Sequence, residues 1–83
     1  MREEIRNEMY EYLKNELFLN EVDEDKNLQE DYGVDSLGFL KLLILLETKM
    51  GVVVPDEQLE EISQLTIHGL IDFLNTLIDE GEE

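Results

Sequence analysis

The chain has 83 residues, enough for one domain with one small core. Twenty-two acidic residues against six basic ones give a formal net charge of −16, which makes nucleic acid and bare anionic membranes poor partners and basic proteins good ones. There is no cysteine, so disulfides and thiolate metal sites are excluded.

The first helix is expected over residues 2–17, where Ile5, Met9, Tyr12, Leu13 and Leu17 recur at helical spacing between charged residues. Residues 18–35 lack a clean period and are rich in turn formers: Asn20, Asp23, Asp25, Asn27, Asp31 and Gly33. A loop this long needs anchors in a compact domain, and Val22, Leu28 and Tyr32 are the candidates. Asp35 or Ser36 caps a second helix that runs to Met50, with Gly51 as its stop. Pro55-Asp56-Glu57 opens a short third helix over about 56–61. Thr66 caps a fourth that runs to about Ile78, with Ile67, Leu70, Ile71, Leu74 and Ile78 as its apolar stripe.

The expectation is an all-α small four-helix bundle, with three longer helices and one short third helix, and a long loop between helices one and two. Residues 1–83 form a single domain in which 79–83 fray. The longest strongly apolar run, Leu42-Leu43-Ile44-Leu45-Leu46, is far short of the roughly 20 residues of a membrane span. No apolar stretch follows a basic N-terminal segment, so a cytoplasmic monomer is expected. The chain begins with Met and contains no linker, so isolated operation is expected too.

Catalysis within the chain finds little support. His68 is the single histidine, and a Ser36–His68 pair lacks the third group and oxyanion hole that an activated serine needs. Asp23-Glu24-Asp25-Lys26-Asn27 begins like a calcium loop. Leu28 then stands where that loop needs glycine, and Val34 where it needs glutamate. No metal site is expected, although a weak divalent-ion site stays open. Gly33 to Leu37 remains: a glycine for a tight turn, then a serine at a helix N-terminus, where free N–H groups and the helix dipole favour a phosphate ester. An ordinary helix cap is the competing reading of an isolated Asp-Ser pair.

Gly33-Val34-Asp35-Ser36-Leu37 resembles the attachment motif of acyl carrier proteins, whose core is Asp-Ser-Leu preceded by a glycine two residues before the Asp. Val54-Pro55-Asp56-Glu57 looks like that family's lead-in to its third helix, and Thr66-Ile67 like the start of its last one. The resemblance spans nearly the whole chain. It implies that Ser36 accepts 4′-phosphopantetheine from coenzyme A, with Asp35 and Leu37 as motif neighbours. A separate phosphopantetheinyl transferase would supply the magnesium and the base, and the chain itself would not be an enzyme. Acyl groups would be carried as thioesters to the acyl-loading and acyl-processing enzymes of fatty acid, polyketide or specialised lipid synthesis. A discrete aminoacyl or peptidyl carrier is the alternative within the class. An acidic helical interaction module without cofactor is the alternative outside it. The resemblance also implies that the interior can shelter an acyl chain, whereas Leu42, Leu43, Leu46, Val54, Leu59, Ile62, Leu65, Leu70 and Leu74 would equally make a packed core.

The second helix departs from the fatty-acid branch of that family, where it is rich in acidic residues. Here it holds only Glu47, against Lys41 and Lys49. Phe39, Leu42, Leu43, Leu46 and Met50 make one core stripe. Leu37, Leu40 and Ile44 fall on another face. Together with Lys41 and Glu47 they are a candidate docking surface for partners, or else a second buried stripe. As a docking surface they favour apolar contact and a dedicated pathway.

Overall fold

A computed structural model describes residues 2–81 of the chain. Helix α1 spans Arg2–Leu17, α2 Ser36–Met50, α3 Leu59–Ile62 and α4 Ile67–Gly81, and a 3₁₀ turn over Asp56–Gln58 leads into α3. The described residues form a small all-α bundle with no strand. A single antiparallel bridge joins Asn27 to Thr66.

The helix ends follow from local chemistry. Asp35 has extended backbone, and its carboxylate accepts the Gly38 N–H at 2.7 Å, so it is Asp35 rather than Ser36 that caps α2. At the far end Gly51 adopts a left-handed φ of 70° and donates its N–H to the Glu47 carbonyl. The Thr66 hydroxyl accepts the Gly69 N–H at 3.0 Å and caps α4 as its sequence suggests. The third helix is tighter than expected. Its first turn is 3₁₀, the form that short helical pieces commonly take. Helix α4 continues past Ile78 to Gly81, because nothing before that glycine breaks it. The fraying expected of residues 79–83 therefore has a helical start, and Glu82 and Glu83 lie outside the described residues.

Helix α1 stops differently. Phe18 takes a left-handed φ of 58°, and the Leu19 N–H reaches back to the Leu13 carbonyl at 3.4 Å. This reversal lets Leu17 and Leu19 both pack on the core and leaves the ring of Phe18 84 % exposed.

The core is one cluster to which all four α-helices contribute. Ile5, Met9 and Leu13 of α1 meet Phe39, Leu42, Leu43 and Leu46 of α2, Ile62 of α3, and Ile67, Leu70, Ile71 and Leu74 of α4. Helices α1 and α2 run antiparallel: the Tyr12 hydroxyl donates to the Gly38 carbonyl at 3.1 Å, while Glu8, a turn earlier, pairs with Lys49 near the other end of α2 at 3.4 Å.

The long loop is held at each expected anchor. Leu28 is buried, and Val22 and Tyr32 pack half-buried against the core. Val34 is a fourth, fully buried anchor. Polar groups fasten the loop as firmly. Asn27, 8 % exposed, donates from its side-chain amide to the Ser63 and Leu65 carbonyls, both at 2.9 Å. Its carbonyl oxygen accepts the Gln29 and Glu30 N–H groups. The Ile67 and His68 N–H groups at the start of α4 donate to the carbonyls of Lys26 and Glu24, each at 2.9 Å, so the loop itself satisfies donors that a helix start leaves open.

Candidate functional site

The segment before α2 is shaped by three residues. Gly33 takes a φ of 73°, a conformation that costs glycine nothing. The buried Val34 donates its N–H to the Leu28 carbonyl at 3.0 Å and anchors the turn. Asp35 then caps the helix and leaves Ser36 as its first residue, exposed to solvent. Gly38 is closely packed: a Cβ there would lie 3.1 Å from the Asp35 carboxylate and 3.2 Å from Val34 Cγ1, so these neighbours would have to give by a few tenths of an ångström. Tyr12 closes the approach from α1. Burial, with the nearby Glu16 and Asp35 carboxylates, raises the pKa of its phenol and keeps the proton that it donates to Gly38.

The chain has two serines, and their settings differ. Ser63 follows the end of α3, is half-buried, and donates its hydroxyl to the Glu60 carbonyl at 2.7 Å. Ser36 stands at the positive end of α2, where the Ser36 and Leu37 N–H groups have no partner within the helix. Among the described residues, no protein group engages its hydroxyl.

His68 offers Ser36 no base. Its Nδ1 lies 3.4 Å from Glu24 and its Nε2 3.3 Å from Asp72, so both ring nitrogens are turned to carboxylates. Glu24 in turn accepts from Arg6 Nε at 2.9 Å and from the Tyr10 hydroxyl. The Tyr10 hydrogen bond, with those from Arg6 and His68, outweighs burial and lowers the Glu24 pKa. The stretch that begins like a calcium loop is therefore spent on structure. Glu24 ties α1 to α4, Asn27 ties the loop to the α3–α4 link, and Asp23 accepts the Asp25 N–H at 2.9 Å.

Two open grooves flank Ser36. One, of about 300 Å³, is lined by Ser36, Gln29, Phe39, Leu40, Leu59, Glu60 and Ser63. The other, of about 380 Å³, lies between α1 and α2 and is lined by Tyr12, Glu16, Asp35, Leu37, Gly38, Lys41 and Leu45. The aliphatic set named from sequence divides. Leu42, Leu43, Leu46, Val54, Ile62, Leu70 and Leu74 are buried in the core, whereas Leu59 and Leu65 pack against it only partly buried, and Leu59 borders the first groove.

The candidate docking residues are also distinguished. Leu37, Leu40 and Ile44 are 60 %, 42 % and 51 % exposed, so they form no second buried stripe. Lys41 is exposed beside Leu37 on the rim of the second groove. Glu47 is committed elsewhere: its carboxylate accepts the Val54 N–H at 3.0 Å and holds the segment after α2 against that helix.

The sequence matches the family described as phosphopantetheine attachment site over residues 7–74, well over half of the chain. No solved structure matches it. The chain belongs to this family, whose members are carriers that bear 4′-phosphopantetheine covalently on a serine. The residues present fit such a group. An exposed hydroxyl stands at a helix N-terminus suited to a phosphodiester, and a groove beside it offers Phe39, Leu40 and Leu59 to methylene carbons and Gln29 and Ser63 to amides. When attached, the group supplies a thiol on a long flexible arm, in a chain that has no thiol of its own. No helix among the described residues is long and apolar enough to cross a membrane.

Sequence reasoning missed three contributors. Asn27 reads as one more turn former, and nothing local marks an asparagine whose side chain uses all its hydrogen-bonding groups. Glu24 is one of many loop acids, and its partners stand 18, 14 and 44 positions away. Tyr12 appears in the α1 stripe as an apolar residue, and only its burial hints that the hydroxyl needs an acceptor.

Proposed function

We propose that Ser36 is the attachment serine and that the protein is an acyl carrier serving a dedicated biosynthetic pathway. The assignment of Ser36 is carried by one contrast: of two serines, only Ser36 stands exposed at a helix N-terminus with its hydroxyl uncommitted. In modification, the Ser36 oxygen forms a bond to the phosphorus of coenzyme A that carries the pantetheine. The pyrophosphate P–O bond breaks, adenosine 3′,5′-bisphosphate leaves, and the hydroxyl proton passes to a base on the transferase. The chain contributes orientation and the field of α2, whose first-turn N–H groups and dipole stabilise the added negative charge. Acyl groups then travel as thioesters, kept near partner active sites by the tether.

The exposed Leu37, Leu40 and Ile44, with Lys41, support a docking face that is more apolar than the acidic one expected for fatty-acid synthesis. Polyketide or specialised lipid chemistry suits such a face, as does an aminoacyl carrier. The test is intact mass after incubation with coenzyme A and a broad-specificity phosphopantetheinyl transferase. The wild type and Ser63→Ala are expected to gain one phosphopantetheine each, and Ser36→Ala none. An equal gain in Ser36→Ala defeats the assignment. Loading assays with fatty, malonyl and aminoacyl donors then separate the cargo classes.

A further inference from the structure

Phe18 is held by none of the forces that place the rest of the chain. Its backbone is left-handed, a conformation that favours glycine or asparagine and disfavours a bulky side chain. The reversal of the chain at the end of α1 explains the conformation, since Leu17 and Leu19 both reach the core through it. It does not explain the ring, which is 84 % exposed and gains nothing from burial.

The position of the ring is informative. Helices α1 and α2 are antiparallel, with Tyr12 level with Gly38. Glu16 shares the second groove with Asp35 and Leu37, and Phe18 lies two residues further on. Phe18, directly after α1, and the exposed Leu37, in the first turn of α2, therefore both stand at the Ser36 end of the bundle. A protein interface covers about 800 Å² per partner, a disc of about 16 Å radius, whereas packed helices lie only about 8–10 Å apart. A footprint of that size centred on Ser36 therefore reaches the neighbouring end of α1. Glu16 and Asp35 rim the groove against the single cation Lys41, in a chain of charge −16.

We propose that the partner-facing surface runs from the start of α2 across to the end of α1, with Phe18 as its apolar anchor. It fits partner proteins that present an apolar pocket rimmed by lysine or arginine. This inference rests on Ser36 being the attachment site, and the surface is used by any enzyme that acts there, the transferase included.

The test is the kinetics of phosphopantetheine transfer, measured by mass with coenzyme A and a broad-specificity transferase, on wild type, Phe18→Asn and Val53→Asn. Val53 is exposed much as Phe18 is, but it follows the C-terminal end of α2, the end opposite Ser36. Phe18→Asn is expected to raise KM at nearly constant kcat, lowering kcat/KM about fivefold or more. It is also expected to raise Tm, because asparagine accepts the left-handed backbone. A merely structural phenylalanine would lower Tm when replaced, so the opposite signs separate the two roles. Val53→Asn is expected to leave KM unchanged. An unchanged KM in Phe18→Asn, or an equal rise in Val53→Asn, overturns the proposal while Ser36 stands. A wild type that gains no mass defeats the assignment of Ser36 and this inference with it.

Discussion

Replacing Asn27 by alanine tests the claim that a single side chain fastens the long loop. It removes four hydrogen bonds at 2.8–2.9 Å: two donated to the Ser63 and Leu65 carbonyls and two accepted from the Gln29 and Glu30 N–H groups. Each is worth about 1 kcal/mol net, and more where its partner is left dry. Water reaches some of the freed groups, because the site is only part-buried. We expect a loss of about 2–4 kcal/mol. A domain of this size has roughly 4–12 kcal/mol in total, so Tm should fall by about 10–20 °C. The assay is urea unfolding followed by far-UV circular dichroism, which suits an all-α chain. Amide exchange at Gln29 and Glu30 should accelerate beyond the global change, because those N–H groups lose their acceptor. Asn27→Asp sharpens the test by setting a carboxylate against the Ser63 and Leu65 carbonyls. That environment raises the folded-state pKa of the new acid, so stability should be lost further as pH rises through it. A change in unfolding free energy within about 0.5 kcal/mol of wild type for Asn27→Ala would refute the reasoning, since it would mean that the apolar anchors hold the loop unaided.

Three further outcomes are expected. Asp35→Ala should cost about 1 kcal/mol in urea unfolding through loss of the α2 cap, while the phosphopantetheine mass gain at Ser36 persists at a reduced rate. Glu24 has a folded-state pKa below its ordinary value of 4.5, so its stabilisation is complete above that value and lost as pH falls through the depressed one. The urea midpoint of wild type should therefore decline in acid more steeply than that of Glu24→Gln, and parallel curves would count against the Tyr10–Arg6–Glu24 lock. Ile44→Ala should weaken binding of a partner enzyme with little change in its salt dependence, as expected of an exposed apolar contact; strong salt dependence with no loss in this variant would argue for an electrostatic face instead.

The helices and their stops are legible in the sequence because the signals are local. Apolar residues at 3.6-residue spacing, an acid or hydroxyl at the start, and Gly51 at an end each act within a turn of where they stand. The same locality makes the Gly33–Leu37 motif readable, and with it the membership in the carrier family that the match over residues 7–74 establishes. What depended on the tertiary structure is everything that joins residues far apart in the chain. Leu37, Leu40 and Ile44 could have been a second buried stripe, and they are exposed only because no helix packs over that face. Glu47 could have faced a partner, and it turns to the Val54 N–H because the chain folds back past α2 there. Asn27 and Glu24 look like any solvated loop residues until Ser63, Leu65, Tyr10 and His68 arrive beside them. Periodicity records which face of an element is apolar. What covers that face, and which buried polar group finds its partner, is decided by packing, and that determines what surrounds Ser36.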